Sequence, residues 1–177
     1  MPIPETAMPL NPEAQIEHRR GEDVISTDPN LLDLDVIHGF LSRAYWSEGI
    51  PRSLLARALR HSICFGVYTA GKQVGFARVI TDGATYAYLA DVFILEPQRG
   101  RGLSRWLMEV IMSHPDLQGL RRWGLVTRDA HGLYRKFGFA ALKSPDRHME
   151  IIDPEIYKKG RSAARDARLI EDSGAPR

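Results

Sequence analysis

Arg99-Gly100-Arg101-Gly102-Leu103 stands between a long apolar run, Thr85–Leu95, and a run of helical period that begins at Leu103. Few arrangements constrain a fold so tightly. The glycines permit a sharp turn and a close approach of backbone to ligand. The helix that follows offers unpaired N–H groups and the positive end of its dipole. A strand, such a turn and an amphipathic helix imply a sheet with a helix packed back upon it, and a turn suited to phosphate or pyrophosphate. The bland alternative is an ordinary strand–helix connection with two surface arginines.

Around this unit the periodicities suggest an order of helix, helix, three strands, helix, strand, helix, strand, strand. Asp28-Pro29 reads as a helix start, and Leu34, Ile37, Leu41 and Ala44 repeat at helical spacing up to Tyr45. Ile50-Pro51-Arg52 opens a second helix through Leu54, Leu55, Ala58 and Leu59. Ile63–Thr69 and Gln73–Thr81 flank a hairpin signal at Ala70-Gly71-Lys72, and Asp82-Gly83 turns the chain into Thr85–Leu95. Leu103, Trp106, Leu107, Val110 and Ile111 form one helix face. Trp123–Thr127 reads as a short strand, and Ala130, Leu133, Tyr134 and Phe137 as a helix stopped at Gly138. Phe139–Leu142 and His148–Ile152 read as closing strands. A strand–helix–strand crossover makes its two strands parallel neighbours. The expected fold is α/β, with a mixed, mostly antiparallel central sheet flanked by helices. Residues 1–21 are expected to be a loosely ordered extension, 22–157 the folded domain, and 158–177 a polar tail with a short helix around Ala163–Ile170.

Three glycine-rich phosphate motifs compete for the turn. The chain has no G-x-x-x-x-G-K-[ST], and Gly100-x-Gly102 lacks the third glycine of a dinucleotide fingerprint. The remaining pattern is strand, R-G-x-G-Leu, amphipathic helix, short strand, then a helix carrying Leu133-Tyr134-x-x-x-Gly138-Phe139. This resembles the GNAT superfamily of acetyl-CoA-dependent N-acetyltransferases over roughly Asp28–Ile152. The resemblance implies that the backbone amides of Arg99, Gly100, Arg101, Gly102, Leu103 and Ser104 hold the CoA pyrophosphate. It also implies that Val92, Phe93 and Ile94 pair with the pantetheine arm through their backbone. Ser104 replaces the small glycine or alanine that the family carries there, and Thr127 stands where the family often has a cofactor-contacting asparagine.

Acetyl transfer from a thioester to an amine needs a neutral amine, a stabilised oxyanion and a proton for the departing thiolate. Tyr134 lies where many members of the superfamily carry a tyrosine acting as general acid. By periodicity alone it is equally a core residue. The Glu-Asp pair of several relatives, whose glutamate serves as base, reads Ala90-Asp91 here. Because adjacent strand residues alternate faces, Asp91 is not expected to take the glutamate's place simply. Asp91 remains a catalytic-site candidate as a direct base, as a partner for a substrate ammonium, or as an anchor for a loop. The implied activity is acetylation of a primary amine by direct attack in a ternary complex, with no evident covalent nucleophile. The rival is a CoA-binding sensor or interaction module without turnover.

Tyr45-Trp46-Ser47-Glu48-Gly49-Ile50 corresponds to the loop that roofs the acceptor cleft in the superfamily. Its aromatics beside a carboxylate suit an amine, or equally cap the core. Asp129 is expected to cap the helix at Ala130, and Arg121-Arg122 and Arg135-Lys136 to be solvated helix ends or, alternatively, to meet the nucleotide 3′-phosphate. The histidines lack metal-ligand spacing, so no metal is expected. Cys64, alone in an apolar strand, reads as a buried small hydrophobe, and a single cysteine excludes an intramolecular disulfide. A net charge of +2 and spread arginines give no mandate for nucleic acid, and R-G-R-G lacks a basic face with interleaved aromatics. With 44% apolar residues, no membrane-length apolar run and no secretory leader, the expectation is a cytoplasmic monomer or homodimer that engages a small-molecule or peptide amine.

Overall fold

Ala70 and Gly71 both adopt positive φ, +48° and +75°, between the paired residues Thr69 and Lys72. Two left-handed central residues match the right-handed twist of flanking strands, which is why this turn closes a hairpin. The computed structural model describes residues 15–159. Its sheet has six strands in sequential order: β1 (Glu17–Arg20), β2 (Asp23–Ser26), β3 (Ile63–Thr69), β4 (Lys72–Thr81), β5 (Tyr86–Ile94) and β6 (Arg122–Gly124). Neighbours from β1 to β5 are antiparallel, and β5 and β6 are parallel across a helical crossover. The sheet is therefore mixed and mostly antiparallel, with helices on both faces.

Helix α1 (Leu34–Leu41) and helix α2 (Arg52–Arg60) cover one face. There Ile37, Leu41, Ile50 and Leu55 pack with Cys64, Phe76 and Phe93. Helix α3 (Leu103–Met112) covers the other face with Trp106, Leu107, Met108 and Ile111, against Ile63, Phe65, Val67, Ala77, Val79, Ala87 and Leu89. The period-2 pattern of β3–β5 divides its residues between these two cores. A short helix α4 (His131–Tyr134) follows β6 and continues as a 3-10 turn to Phe137. Gly138, at φ +86°, ends it. Among the described residues no helix is long and apolar enough to cross a membrane.

Several sequence expectations are corrected. Asp28-Pro29 starts only the 3-10 turn Pro29–Leu31, and α1 begins at Leu34 with Asp33 Oδ1 accepting from the Asp35 and Val36 amides. Two competing caps five residues apart give two short elements instead of one long helix. The part of the expected loose extension that is described contains β1, whose four residues pair with β2 around the Gly21 turn. The run Trp123–Thr127 contributes to the ladder only as far as Gly124. Phe139–Leu142 and His148–Ile152 form no strands; a 3-10 turn at Pro145–Arg147 lies between them, and Met149 and Ile151 are fully exposed. Their apolar alternation finds no edge to join, because β6 is only three residues long. The helix expected at Ala163–Ile170 and residues 1–14 lie outside the described residues.

Candidate active site

Gly100 and Gly102 both lie in the left-handed region, at φ +78° and +79°, and Gly102 is the N-cap of α3 without any side-chain cap. The first intrahelical bond, from Trp106 N to Gly102 O at 3.0 Å, leaves the amides of Leu103, Ser104 and Arg105 ahead of it. A Cβ placed on either glycine would meet nothing within 4 Å, so the space above the turn is open. Uncapped amides, a helix dipole and open space suit an anion.

The arginine side chains of this turn, though exposed, are tied back to the fold. Arg99 Nε donates to Ile94 O at 3.0 Å. Arg101 Nη2 reaches both carboxylate oxygens of Asp23 at 3.0 Å, and its Nη1 bonds Gln98 and Thr69. They fasten the turn to the ends of β2, β3 and β5. Leu103 is buried in the core, which leaves its amide as its contribution to the turn.

Strand β6 pairs with β5 only at Tyr86, Ala87 and Tyr88. Beyond Tyr88 the two diverge, and among the described residues nothing pairs with that edge of β5 along Val92–Ile94. On its other edge β5 remains bonded to β4, with Phe93 opposite Phe76 and Ile94 opposite Gly75. Gly75 is small for a reason: a Cβ there would lie 2.8 Å from Phe93 O. The open edge leads directly to the glycine turn.

Asp91 interrupts the alternation of β5. Its φ is +56°, and the pairing advances from Phe76 to Arg78 on β4 while it advances from Phe93 to Ala90 on β5. The extra residue is a β-bulge. Leu89 and Val92 pack toward the α3 side, so Ala90 and Asp91 share the α1/α2 side. The alternation expected to separate positions 90 and 91 therefore fails here. Asp91 Oδ2 forms a salt bridge with Arg78 Nε, with side chains 8% and 16% exposed, and Asp91 Oδ1 accepts from Trp46 Nε1 at 3.0 Å. Arg78 Nη1 also donates to Ser62 Oγ at 3.3 Å.

From Trp46 the contacts continue toward α4. The Tyr45 and Trp46 rings meet edge-on at 4.9 Å. The Arg128 guanidinium lies 4.0 Å over the Tyr45 ring, and the Arg128 amide donates to Tyr45 Oη at 3.2 Å. Both aromatics are about half exposed and form an aromatic wall, while Trp46 also packs on Phe40, which stacks on Phe93 of the α1/α2 core. Tyr134, 9% exposed, packs into the α3-side core beside Phe139. Burial pushes its phenol up to about 12, with smaller contributions from Tyr45 and Asp129. By its packing it is a core residue, with its phenol close enough to feel Tyr45 and Asp129.

Thr127 Oγ1 accepts from the Ala130 amide at 3.0 Å; Ala130 is itself the N-cap of α4 and no side chain caps the helix, so the expected Asp129 cap is not formed. A threonine hydroxyl bonded in this way keeps its own proton to donate. Asp129 lies exposed beside Arg128 at 3.5 Å, and His131 is exposed. Cys64 is a free thiol, buried, with its pKa pushed up to about 12 by burial. Among the described residues no group of three or more His, Cys, Asp or Glu could hold a metal. Sequence reading missed Arg78 and Arg128. Arg78 left one signal, a lone arginine inside an otherwise apolar strand; Arg128 left none.

Residues 60–141 match the family model described as an acetyltransferase (GNAT) domain. A candidate acetyltransferase of Gibberella zeae is 39% identical over 140 residues, covering 66% of this chain and 78% of that protein. The crystal structure of a candidate GNAT-family acetyltransferase from Xanthomonas campestris pv. campestris superposes with a TM-score of 0.75 at 52% identity, covering 76% of this chain and 96% of the other. The chloroplastic serotonin N-acetyltransferase 2 of Oryza sativa subsp. japonica is 34% identical over 116 residues, 60% of this chain and 57% of that protein.

Proposed function

The chain belongs to the GNAT superfamily of acetyltransferases, and from that premise we propose that it transfers an acetyl group from acetyl-CoA to a primary amine by direct attack in a ternary complex. The observation that carries this reading is the open edge of β5 that runs from the glycine turn to Asp91, whose carboxylate holds Trp46 of the aromatic wall. The amides of Gly100–Ser104 would hold the pyrophosphate, and the backbone of Val92, Phe93 and Ile94 would pair with the pantetheine arm as an added strand. Thr127 Oγ1, which accepts from the Ala130 amide, would have its own proton left to donate to the cofactor.

In this reaction the amine nitrogen forms a bond to the thioester carbon and the C–S bond breaks. Tyr134 Oη gives its proton to the departing sulfur, the proton lost from nitrogen passes through water to solvent, and the phenolate takes up a proton from solvent to restore the phenol. A phenol whose pKa is raised by burial keeps its proton throughout the neutral range. The same desolvation raises the proton affinity of a thiolate, as it does for Cys64, so donor and acceptor rise together.

The test is to incubate the purified chain with acetyl-CoA and a panel of primary amines while following free thiol, and to measure thermal shift with CoA. Amine-dependent thiol release with a CoA shift is expected. A shift without release on any amine would make the chain a CoA-binding module instead. No shift would remove the cofactor assignment itself.

A further inference from the structure

The acetyl-transfer reading leaves open what Asp91 does, and the surroundings of its carboxylate answer it. We propose that Asp91 is a positioning residue, braced by Arg78, that fixes the Trp46 indole as a wall of the acceptor cleft. The inference rests on the proposed amine acetylation for its functional meaning, but its geometric content stands on the described contacts.

Each Asp91 oxygen is already engaged, Oδ1 by the Trp46 indole and Oδ2 by Arg78 Nε. The side chain is 8% exposed, so the lone pairs that remain have little access to an incoming ammonium. Arg78 is itself held by Ser62 Oγ, and Asp91 sits on a bulge whose left-handed backbone turns it toward the α1/α2 side. This is a braced acceptor built to receive one N–H. Trp46, by contrast, lies in the connection between α1 and α2 and is 43% exposed as a residue. Its other described aromatic contacts are ring packing, with Tyr45 at 4.9 Å and Phe40 at 6.3 Å, and such contacts do not fix the indole's rotation as a hydrogen bond does. Without Asp91 the indole can turn. Trp46 in turn packs edge-on against Tyr45, which carries Arg128 on its face. The face that an amine meets is therefore aromatic, and the carboxylate stands behind it.

The experiment compares Trp46→Phe, Asp91→Asn and the double variant in the full chain, using an amine found active in the panel. Asparagine retains an oxygen for the indole but removes the charge that Arg78 braces. For a positioning role, each single variant raises the acceptor KM several-fold, leaves the acetyl-CoA KM unchanged and preserves the limbs of the kcat–pH profile. The double variant is then no worse than the more severe single one, because both changes break the same link. The emission attributable to Trp46, taken as the difference from Trp46→Phe, also shifts to the red and becomes easier to quench with iodide in Asp91→Asn. Loss of kcat or of its acid limb in Asp91→Asn, with Trp46→Phe silent, would make Asp91 the base and overturn the proposal. Additive effects in the double variant would overturn it as well. If Asp91→Asn does not fold, Asp91→Asn/Arg78→Gln, which removes both charges, replaces it with the same readouts. If no amine is acetylated, the transfer reading fails separately. The fluorescence comparison then decides alone, and an unchanged Trp46 signal in Asp91→Asn refutes the link.

Discussion

Ala90 and Asp91, adjacent in β5, face the same side of the sheet because Asp91 is the extra residue of a bulge at φ +56°. One consequence is that Asp91 meets Arg78 on β4 in a largely buried pair. Removing one member of such a pair leaves an uncompensated charge, which costs far more than the pair is worth. Asp91→Ala is expected to lower stability by about 3 kcal/mol in urea unfolding. Asp91→Ala/Arg78→Met should recover most of that loss. Equal destabilisation of the single and double variants would show that packing, not charge, dominates at this position.

Tyr134→Phe keeps the ring packed against Phe139 and removes only the phenol. If Tyr134 is the acid, kcat should fall roughly a hundredfold or more, with the CoA thermal shift preserved. Because burial pushes its pKa up to about 12, deprotonation of Tyr134 contributes no descending limb to the kcat/KM profile of the free enzyme between pH 7 and 10. A wild-type limb there that disappears in Tyr134→Phe would contradict that placement.

Gly102→Ala tests the turn. Open space surrounds the site of the new Cβ, so the cost is backbone strain at φ +79° and not a clash. A stability loss of about 1–2 kcal/mol is expected. The CoA-induced thermal shift should shrink as well, since relief of the strain would re-aim the Leu103 and Ser104 amides. An undiminished CoA shift would place the anion elsewhere.

His114 is buried, accepts the Asp116 amide at Nδ1 (3.2 Å) and meets Phe65 edge-on, and burial holds its pKa below the usual histidine value. In the window between that lowered value and the unfolded value near ~6.5, the unfolded chain binds more protons. Its contribution to stability is therefore complete above this window and declines as pH falls through it. Urea midpoints measured from pH 7.5 to 5 should drop more steeply for wild type than for His114→Asn, which cannot titrate. Parallel pH slopes would remove His114 as a cause.

The strands Ile63–Thr69, Lys72–Thr81 and Tyr86–Ile94 were legible to within a residue or so, because each carries its own period and is bounded by its own turn residues. Helix α3 was legible for the same reason, and so was the parallel β5–β6 pairing that a crossover enforces. The closing strands were misread. Alternation at His148–Ile152 is a local pattern, whereas a strand needs a free edge, and three-residue β6 provides too little. Among the candidate site residues, the glycine turn could be read from its place between strand and helix, and Tyr134 only through the family resemblance. The Trp46–Asp91 bond could not, since it joins positions 45 apart in the chain.

The sequence by itself determined the order of elements, the two-faced strands, the glycine turn ahead of an amphipathic helix, and the family those features resemble. All are patterns within short windows, where periodicity and turn chemistry act directly. Only the tertiary structure decided that the Arg99 and Arg101 side chains serve the turn's anchorage. Only the tertiary structure decided that Asp91 shares a face with Ala90 and is committed to Arg78 and Trp46. The physical reason is the same in both cases. A bulge arises from a mismatch in register between two strands, and a side chain's partner is whatever the packed fold brings to it. Neither quantity is a property of one strand's own residues.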